Sequence, residues 1–320
     1  MADVVAGLAV FGAVIAVGWL LVRARAVPAD ADGVLTRVCF FAATPALLVT
    51  TLSRADLTAV VSRSTAVAVA AELVAIVSAW CLHRLVLRRS TAEATIGALA
   101  SGYVNAANLG IPVAVLVLGD AATIAPILLL QLLVLTPVTF TVLDAVTRRG
   151  NPSRLATLTV PLRNPLLWGV VAGTAANLGG LDLTAWCGGY PARGLEMLGR
   201  VAVPLMMLAL GMSLAGAPRP LRSPEPDASV RGAGRRSSLW LAVGWKLAVM
   251  PGLGVVVGLA TGLSGAQLLT PVVTATLPTA QNVFMYASRY GVGKDLARDA
   301  VLLTTAGFVP VVLLAAAILR

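Results

Sequence analysis

The sequence is poor in charge, in aromatic side chains and in the residues on which most metal and catalytic sites depend. Only 12% of its 320 residues are charged and 5% are aromatic, and it has one histidine and three cysteines. Soluble domains carry about 25% charged residues, so a soluble fold is excluded. The cysteines (Cys39, Cys81 and Cys187) show no CxxC spacing and are expected to be small packing residues.

Hydrophobic residues, in contrast, make up 58% of the chain, and its mean hydropathy is +0.89. A helix that crosses a bilayer needs about 20 consecutive, mostly apolar residues. The sequence contains ten such runs, at residues 3–22, 34–52, 64–87, 91–118, 122–147, 162–180, 189–215, 238–262, 266–290 and 296–319. They predict an all-α polytopic membrane protein with ten transmembrane helices in a lipid bilayer.

The net charge of +10 is distributed unevenly among the predicted connections. Most of the 24 basic residues lie in every second connection, beginning with the one after the first span, whereas the opposite connections carry Arg54, Arg63 and Arg193. Because positively charged loops stay in the cytoplasm, both termini are predicted on the extracytoplasmic side of the cell membrane. The basic charge is a topology signal, and no nucleic-acid partner is predicted. The first span begins MADVV without a basic segment and is expected to be retained.

Several residues recur at a constant offset along the chain. VNAAN at residues 104–108 aligns with PTAQN at 278–282, and the same offset places Glu72 on Lys246. The chain therefore divides into two similar halves of five spans each. An odd number of spans gives the halves opposite orientations in the membrane, and inverted repeats of this kind are typical of secondary transporters.

This repeat predicts the domain organisation. Residues 1–147 form the first five-helix repeat and residues 162–320 the second, with a short cytoplasmic connection at 148–161. Residues 216–238, rich in Pro, Gly, Ser and Arg, are expected to be a flexible cytoplasmic linker, because such a composition does not favour a packed structure.

The fourth predicted span contains NAANLGIP at residues 105–112, in the middle of an apolar segment. Pro112 removes a backbone donor and Gly110 adds conformational freedom, so both predict a broken helix. Asn105 and Asn108 are spaced i, i+3 and are expected to share a helix face. Freed backbone groups at this depth are tolerated only where protein or a water-filled cavity satisfies them.

The ninth span repeats this pattern with Pro278, Gln281 and Asn282. One reading is structural, since proline kinks and interhelical amide bonds are common in membrane bundles. Two corresponding interruptions favour a functional reading, in which the broken helices cross near mid-bilayer. Their helix N-termini would present N–H groups and partial positive charge, which suits a carboxylate substrate.

Glu72 and Lys246 are ionisable residues deep within spans, where burial of a charge is expensive and residues are often functional. They are candidates for an ion-coupling or charge pair, and Lys246 alternatively for holding a substrate anion. The structural alternative is that the two residues only neutralise each other or face a crevice. His83, Asp144, Glu196 and Arg200 lie near helix ends and are expected to be solvated or to snorkel.

The segments NAANLGIPVAVLVLGD and LPTAQNVFMYASRYGVGKDLARDAVLLTT resemble the auxin efflux carrier family, which includes plant PIN-type auxin carriers and bacterial malate and malonate permeases. FFAATPALLVTTLS, RNPLLWGVVAG, VAVPLMMLALGMSL and WKLAVMPGL resemble its second, sixth, seventh and eighth helices, so the resemblance covers essentially the whole chain. It implies helices one, two, six and seven as a scaffold, the others as a transport domain, and an elevator mechanism. It also implies carboxylate substrates and a homodimer.

Carried over by position, the resemblance places the crossover at Val104, Asn105, Asn108, Pro278, Thr279 and Asn282. The predicted substrate-binding residues are Asn105, Asn108, Thr279, Gln281 and Asn282, and the predicted helix-break residues are Val104, Gly110, Pro112 and Pro278. Plant carriers have proline at both crossovers, so Val104 in the first implies shallower unwinding there. Their long hydrophilic loop joins helices five and six, whereas here the polar insert follows helix seven. The substrate therefore cannot be taken over from auxin, and dicarboxylates or amino acids are the bacterial alternatives.

The sequence thus predicts a secondary transporter for an organic anion, coupled to H⁺ or Na⁺ or driven by the membrane potential, with no resident cofactor or metal. An anion channel is the main alternative, because broken helices suit channels too. An intramembrane enzyme is less consistent with the sequence, since HExxH-type metal chemistry needs two histidines and no Ser–His arrangement occurs at depth. An ATP-driven pump would need a GxxxxGK[ST] loop, which is absent.

Overall fold

The computed structural model describes residues 2–28, 30–147, 162, 164–216 and 231–319. Within them all regular structure is helical, apart from one isolated antiparallel bridge between Val104 and Thr279. We number the main helices in chain order: α1 Ala2–Arg23, α2 Ala31–Leu52, α3 Arg63–Val86, α4 Thr91–Gly102, α5 Ala106–Leu118, α6 Ala121–Thr147, α7 Pro165–Leu178, α8 Tyr190–Gly216, α9 Arg236–Ala260, α10 Leu269–Thr276, α11 Gln281–Tyr290 and α12 Lys294–Leu319.

Six of these helices (α2, α3, α6, α8, α9 and α12) are long and apolar enough to cross a membrane. Shorter apolar helices lie at Gly12–Arg23, Ala106–Leu118 and Pro165–Leu178. The all-helical, multi-pass class predicted from composition is confirmed. The arrangement of ten spans as inverted repeats stays a prediction. The predicted fourth and ninth spans are each divided in two, into α4 and α5 and into α10 and α11.

Both predicted cytoplasmic segments fall partly or wholly beyond the described residues. The connection at 148–161 lies outside them, as do residues 217–230 of the predicted linker at 216–238. From Arg231 the chain is helical and runs continuously into α9. The end of the predicted linker is therefore helix and not flexible chain.

Four helices contain a π-helical turn that ends two residues before a proline. These turns are Cys39–Ala43 before Pro45, Ala106–Gly110 before Pro112, Gln131–Leu135 before Pro137, and Trp245–Val249 before Pro251. A proline has no N–H, and its ring crowds the carbonyl four residues earlier. The wider π turn relieves that crowding and lets the helix continue through the proline.

One compact unit, which we call unit 1, comprises the described residues of 1–62, 107–132 and 159–217. It holds α1, α2, α7 and α8, together with α5 and the first part of α6. Gly18 of α1 lies against the backbone of Leu208 in α8, and Gly211 of α8 lies against the backbone of Ile15. Any side chain at these glycines would meet the facing backbone, so small residues allow the two helices to approach closely.

The second compact unit, unit 2, comprises the described residues of 63–106, 133–158 and 218–320. Its α4 begins with a capping box, in which the Ser90 hydroxyl accepts from the Glu93 N–H and the Glu93 carboxylate accepts from the Ser90 N–H. From residue 94 to residue 102 every position of α4 is buried. Since most of these residues are alanine, glycine, serine or threonine, neighbouring helices pack closely around α4. The end of this buried helix is where the first interruption lies.

Candidate functional site

Two helix interruptions pair with each other inside unit 2. The chain leaves α4 at Tyr103, and Val104 forms the antiparallel bridge with Thr279, which lies between α10 and α11. The Asn105 N–H donates to the Pro278 carbonyl at 2.8 Å, and the Ala280 N–H donates to the Tyr103 carbonyl at 3.1 Å. The interrupted segments thus satisfy each other's backbone groups in extended conformation, as burial away from water requires.

The local sequence explains why both segments are extended. Pro278 disfavours helical conformation at the preceding residue, and Leu277 has φ −55° and ψ 140°. No proline stands at the first interruption, but the β-branched Val104 fits an extended backbone. Val104 pairs directly with Thr279. Three residues (103–105) lie outside helix at the first interruption and four (277–280) at the second, and shallower unwinding at Val104 stays a prediction.

Side chains replace the helical hydrogen bond that the first interruption removes. In a continuous helix the Val104 N–H would donate to the Ala100 carbonyl four residues earlier. Here it donates to the Glu72 carboxylate at 3.2 Å, and the Thr279 hydroxyl donates to the Ala100 carbonyl at 2.6 Å. The Thr279 N–H in turn donates to the Thr304 hydroxyl at 3.1 Å. Glu72, Thr279 and Thr304 are all fully buried.

Glu72 also connects the interruption to a buried positive charge. Lys246 on α9 is fully buried, and Glu72 is the charged group that acts on it electrostatically. The Lys246 ammonium lies 2.8 Å from the Met250 sulfur. The two predicted ionisable residues therefore both lie buried in unit 2, near enough for the charge of one to act on the other, and Glu72 holds the backbone of the interruption directly.

The other predicted residues are placed as follows. Asn105 is buried and precedes α5, so its helical i, i+3 relation to Asn108 does not apply. Asn108 lies in α5 and belongs to unit 1. Gly110 and Pro112 lie within the helical segment that contains Asn108, with Gly110 at φ −61° and ψ −44°. The helix break therefore falls at residues 103–105 and not at this glycine and proline.

Gln281 and Asn282 are partly exposed in the first turn of α11. The residue at the N-cap is Ala280, which has no side-chain oxygen to accept from the first-turn N–H groups. An uncapped helix start carries partial positive charge and unsatisfied donors. It is chemically suited to an anion.

Sequence reasoning missed a set of hydroxyl groups beside the interruption. The Thr136 hydroxyl lies 3.3 Å from the Tyr103 hydroxyl and 3.0 Å from the Tyr286 hydroxyl. The Tyr103 and Tyr286 rings make an edge-to-face contact at 6.3 Å. This set joins the residue before Val104 to α6 and α11. The only sequence signal for this set was the position of Tyr103 next to the predicted break. Thr136 gave no signal, because a threonine in a membrane helix often bonds only to its own backbone.

The prediction that His83 is solvated is wrong. It is fully buried, its Nε2 lies 3.4 Å from the Ser101 hydroxyl, and its ring covers Gly97. The absence of a Cβ at Gly97 gives the ring its space, a contact between α3 and α4 that hydropathy cannot indicate. Glu196 and Arg200 do form an exposed i, i+4 ion pair at 2.9 Å.

A separate cleft of about 300 Å³ opens in unit 1 beside the ends of α2 and α7, with Arg54, Asn177 and Asp182 in its lining. It contains none of the predicted site residues. Hydrogen bonds from the Thr184 hydroxyl and N–H lower the pKa of Asp182, so this carboxylate is ionised at neutral pH. The Arg54 guanidinium of the same lining acts on Asp182, so the cleft offers no unopposed positive charge to a carboxylate substrate. The paired interruption, which contains several of the predicted site residues, is the better candidate.

Comparison with known proteins agrees with the sequence motifs. The profile of a family described as "Membrane transport protein" matches residues 6–155 and 153–316 of the chain. A protein of Rhizobium meliloti (strain 1021) named "Putative malonate transporter" is 29% identical over 321 residues, which cover 95% of this chain and 92% of that protein.

Proposed function

Because the chain belongs to the family of membrane transport proteins that includes the auxin efflux carriers, we propose that it is a secondary transporter for an organic anion. The observation that carries the proposal is the bridge between Val104 and Thr279, which holds two interrupted helices together in the core of unit 2. Discontinuous helices are typical of secondary transporters, where they present helix ends and backbone groups to the substrate.

The substrate class that we propose is a carboxylate, with malonate-like dicarboxylates first and amino acids or auxin-like acids as alternatives. The uncapped start of α11 supports an anion, with Gln281 and Asn282 partly exposed beside it. The name of the Rhizobium relative supports malonate in particular. Asn105, Gln281 and Asn282 are the proposed substrate-binding side chains of this site in unit 2. The prediction for Asn108, which lies in unit 1, stays a separate one. Thr279, which was also predicted to bind the substrate, is instead proposed to hold the interruption, because its hydroxyl donates to the Ala100 carbonyl.

Alternating access of the elevator type is the proposed mechanism. Unit 2 holds α3, α4, α9, α10, α11 and α12, and unit 1 holds α1, α2, α7 and α8. This membership supports a transport domain and a scaffold as the family resemblance implies, except that α5 and the first part of α6 group with unit 1. The ten-span inverted repeat, termini outside the cytoplasm and a homodimer through the scaffold are parts of the same proposal.

We assign the coupling of transport to Glu72 and Lys246. A proton or Na⁺ that neutralised Glu72 would act on the carboxylate that accepts the Val104 N–H, and so on the interruption itself. Removing one charge of a buried pair leaves the other uncompensated, which is strongly destabilising. Ion binding and the geometry of the break are therefore linked through one side chain.

The test is counterflow of radiolabelled malonate in proteoliposomes, with charge movement on a solid-supported membrane recorded with and without Na⁺ at two pH values. We expect saturable counterflow, and about a tenfold or greater fall in kcat/KM for Asn105→Ala and Gln281→Ala, because a hydrogen bond to a charged group contributes about 1.5–3 kcal/mol. Gln267→Ala, at an exposed glutamine in a short 3₁₀ turn, is the matched control.

Anion flux without counterflow would indicate a channel and contradict the carrier. Normal counterflow in both Asn105→Ala and Gln281→Ala would contradict the assigned site. Succinate, malate, neutral amino acids and indole-3-acetate in the same assay would separate the proposed substrate classes.

A further inference from the structure

A group of arginines lies at one end of unit 2, and one of them, Arg88, has a backbone conformation that the transport proposal does not explain. At the end of α3 the chain turns through Arg88 with φ 52°, the left-handed region that glycine enters freely and other residues avoid. The turn is well formed, with the Arg89 N–H donating to the His83 carbonyl at 3.0 Å. Glycine would make this turn with less strain, so the presence of arginine points to a use for its side chain.

The end of α3 is joined to the beginning of α9 by Arg89. Its Nε donates to the buried Ser238 hydroxyl at 3.0 Å, and its guanidinium packs on the backbone of Gly234, where a Cβ would collide with it. Arg84 donates to the Arg89 carbonyl at 3.3 Å. This junction gathers four arginines: Arg84, Arg88, Arg89 and Arg236.

Arg84, Arg88 and Arg236 are exposed, and within the described residues neither Arg88 nor Arg236 has an ion-pair partner. The nearby acid, Glu93, is engaged in the capping box with Ser90. A concentration of guanidinium groups without acidic partners attracts phosphate, which arginine binds in bidentate fashion.

Apolar side chains lie exposed beside these arginines. Leu85 is 68% exposed and Val86 66% exposed, and Trp240, one turn after Arg236, is 56% exposed. Exposed apolar residues next to arginine and tryptophan are typical of the level where acyl chains meet headgroups. A free anion would use only the basic groups, whereas a lipid would use both kinds of side chain.

A similar construction recurs at the end of α1 in unit 1. Arg25 has φ 57°, Arg23 stacks over the Trp19 ring at 5.5 Å, and Leu20 is 54% exposed. Arg25 and Arg88 are the described non-glycine residues with positive φ. Both stand just after the end of an apolar helix, near a second arginine and exposed apolar side chains.

We propose that Arg84, Arg88 and Arg236 form a binding site for the phosphate of an anionic phospholipid, whose acyl chains cover Leu85, Val86 and Trp240. The shared chemistry is a phosphate anion, and the apolar side chains assign it to a lipid rather than to free phosphate. The lipid site shares no residue with the proposed carboxylate site.

The experiment measures equilibrium binding of radiolabelled phosphatidylglycerol to the full chain purified in a neutral detergent, with phosphatidylcholine of the same acyl chains as comparison. We expect saturable binding of phosphatidylglycerol alone. Each arginine near a lipid surface contributes about fivefold in affinity, so Arg88→Gly should weaken binding about fivefold and Arg84→Gln combined with Arg88→Gly about 25-fold. Arg88→Lys, which keeps the charge, should retain most of the affinity.

Arg88→Gly is the decisive variant because glycine suits the positive φ. Its melting temperature without lipid should equal or exceed that of the parent protein, which separates lost binding from lost folding. Arg193→Gln, at an exposed arginine that stacks on Tyr190, is the charge-matched control and should bind normally. Equal binding of both lipids, equal losses in Arg88→Gly and Arg193→Gln, or displacement by millimolar inorganic phosphate would each overturn the lipid site.

Discussion

Replacing Thr279 with valine tests the account of how the interruption is held. The substitution keeps the shape of the side chain and removes the hydroxyl that donates to the Ala100 carbonyl at 2.6 Å. That carbonyl cannot recover its helical donor, because the Val104 N–H is committed to Glu72. A buried acceptor left without a donor costs about 1–3 kcal/mol, and we expect Thr279→Val to lose about that much free energy of unfolding.

The measurement is reversible unfolding in mixed micelles, with Thr261→Val as the matched control. Thr261 also has a side-chain hydroxyl bond, at 2.8 Å to the Val257 carbonyl, but it is exposed and the bond is local to its own helix. An exposed change of this kind is expected to stay within about 0.5 kcal/mol. If Thr279→Val and Thr261→Val had the same effect, the exchange of hydrogen bonds at the break would not stabilise the fold, and the reasoning would be refuted.

Two further predictions concern buried contacts of unit 2. Glu72→Gln keeps an acceptor for the Val104 N–H but leaves the Lys246 charge uncompensated, so we expect it to lose about 3–5 kcal/mol of unfolding free energy. Adding Lys246→Met should recover most of that loss, which a double-mutant cycle of unfolding free energies measures. Additive losses would show that the two charges do not interact. Gly97→Ala would place a Cβ 2.7 Å from the His83 ring and should lower the melting temperature. The control Gly244→Ala, at a glycine with open space around it, should raise the melting temperature or leave it unchanged. Equal melting temperatures of the two variants would contradict the tight contact at Gly97.

The membrane class could be read from hydropathy because each span carries its own signal. The interruption could only be approximated, since its position depends on a partner far along the chain. Val104 leaves the helix where Thr279, Glu72 and Pro278 together offer better partners than the next helical turn. No window of sequence around Val104 contains that information.

Pro112 misled the prediction for a related physical reason. A proline normally breaks or kinks a helix, but here the preceding π turn absorbs the missing donor and the helix continues. The offset between the halves led to Glu72 and Lys246, which are both fully buried in unit 2, but their correspondence as repeat positions stays a prediction. The burial of His83 followed from the small size of Gly97, which a hydropathy window cannot distinguish from any other apolar position.

The π turns before the prolines also determine how these spans could change. A π turn contains one residue more than the α turn it replaces, so its conversion to an α turn would rotate everything on one side of it by about 100° about the helix axis. Lys246 and Gln131 both lie within such turns. In a helix without proline, such a slip in register would move a polar side chain to another face of the span without unwinding it. Here the proline that follows each turn blocks the slip, because the α form would restore the clash between the proline ring and the carbonyl. The proline therefore fixes the helix face on which each of these side chains lies.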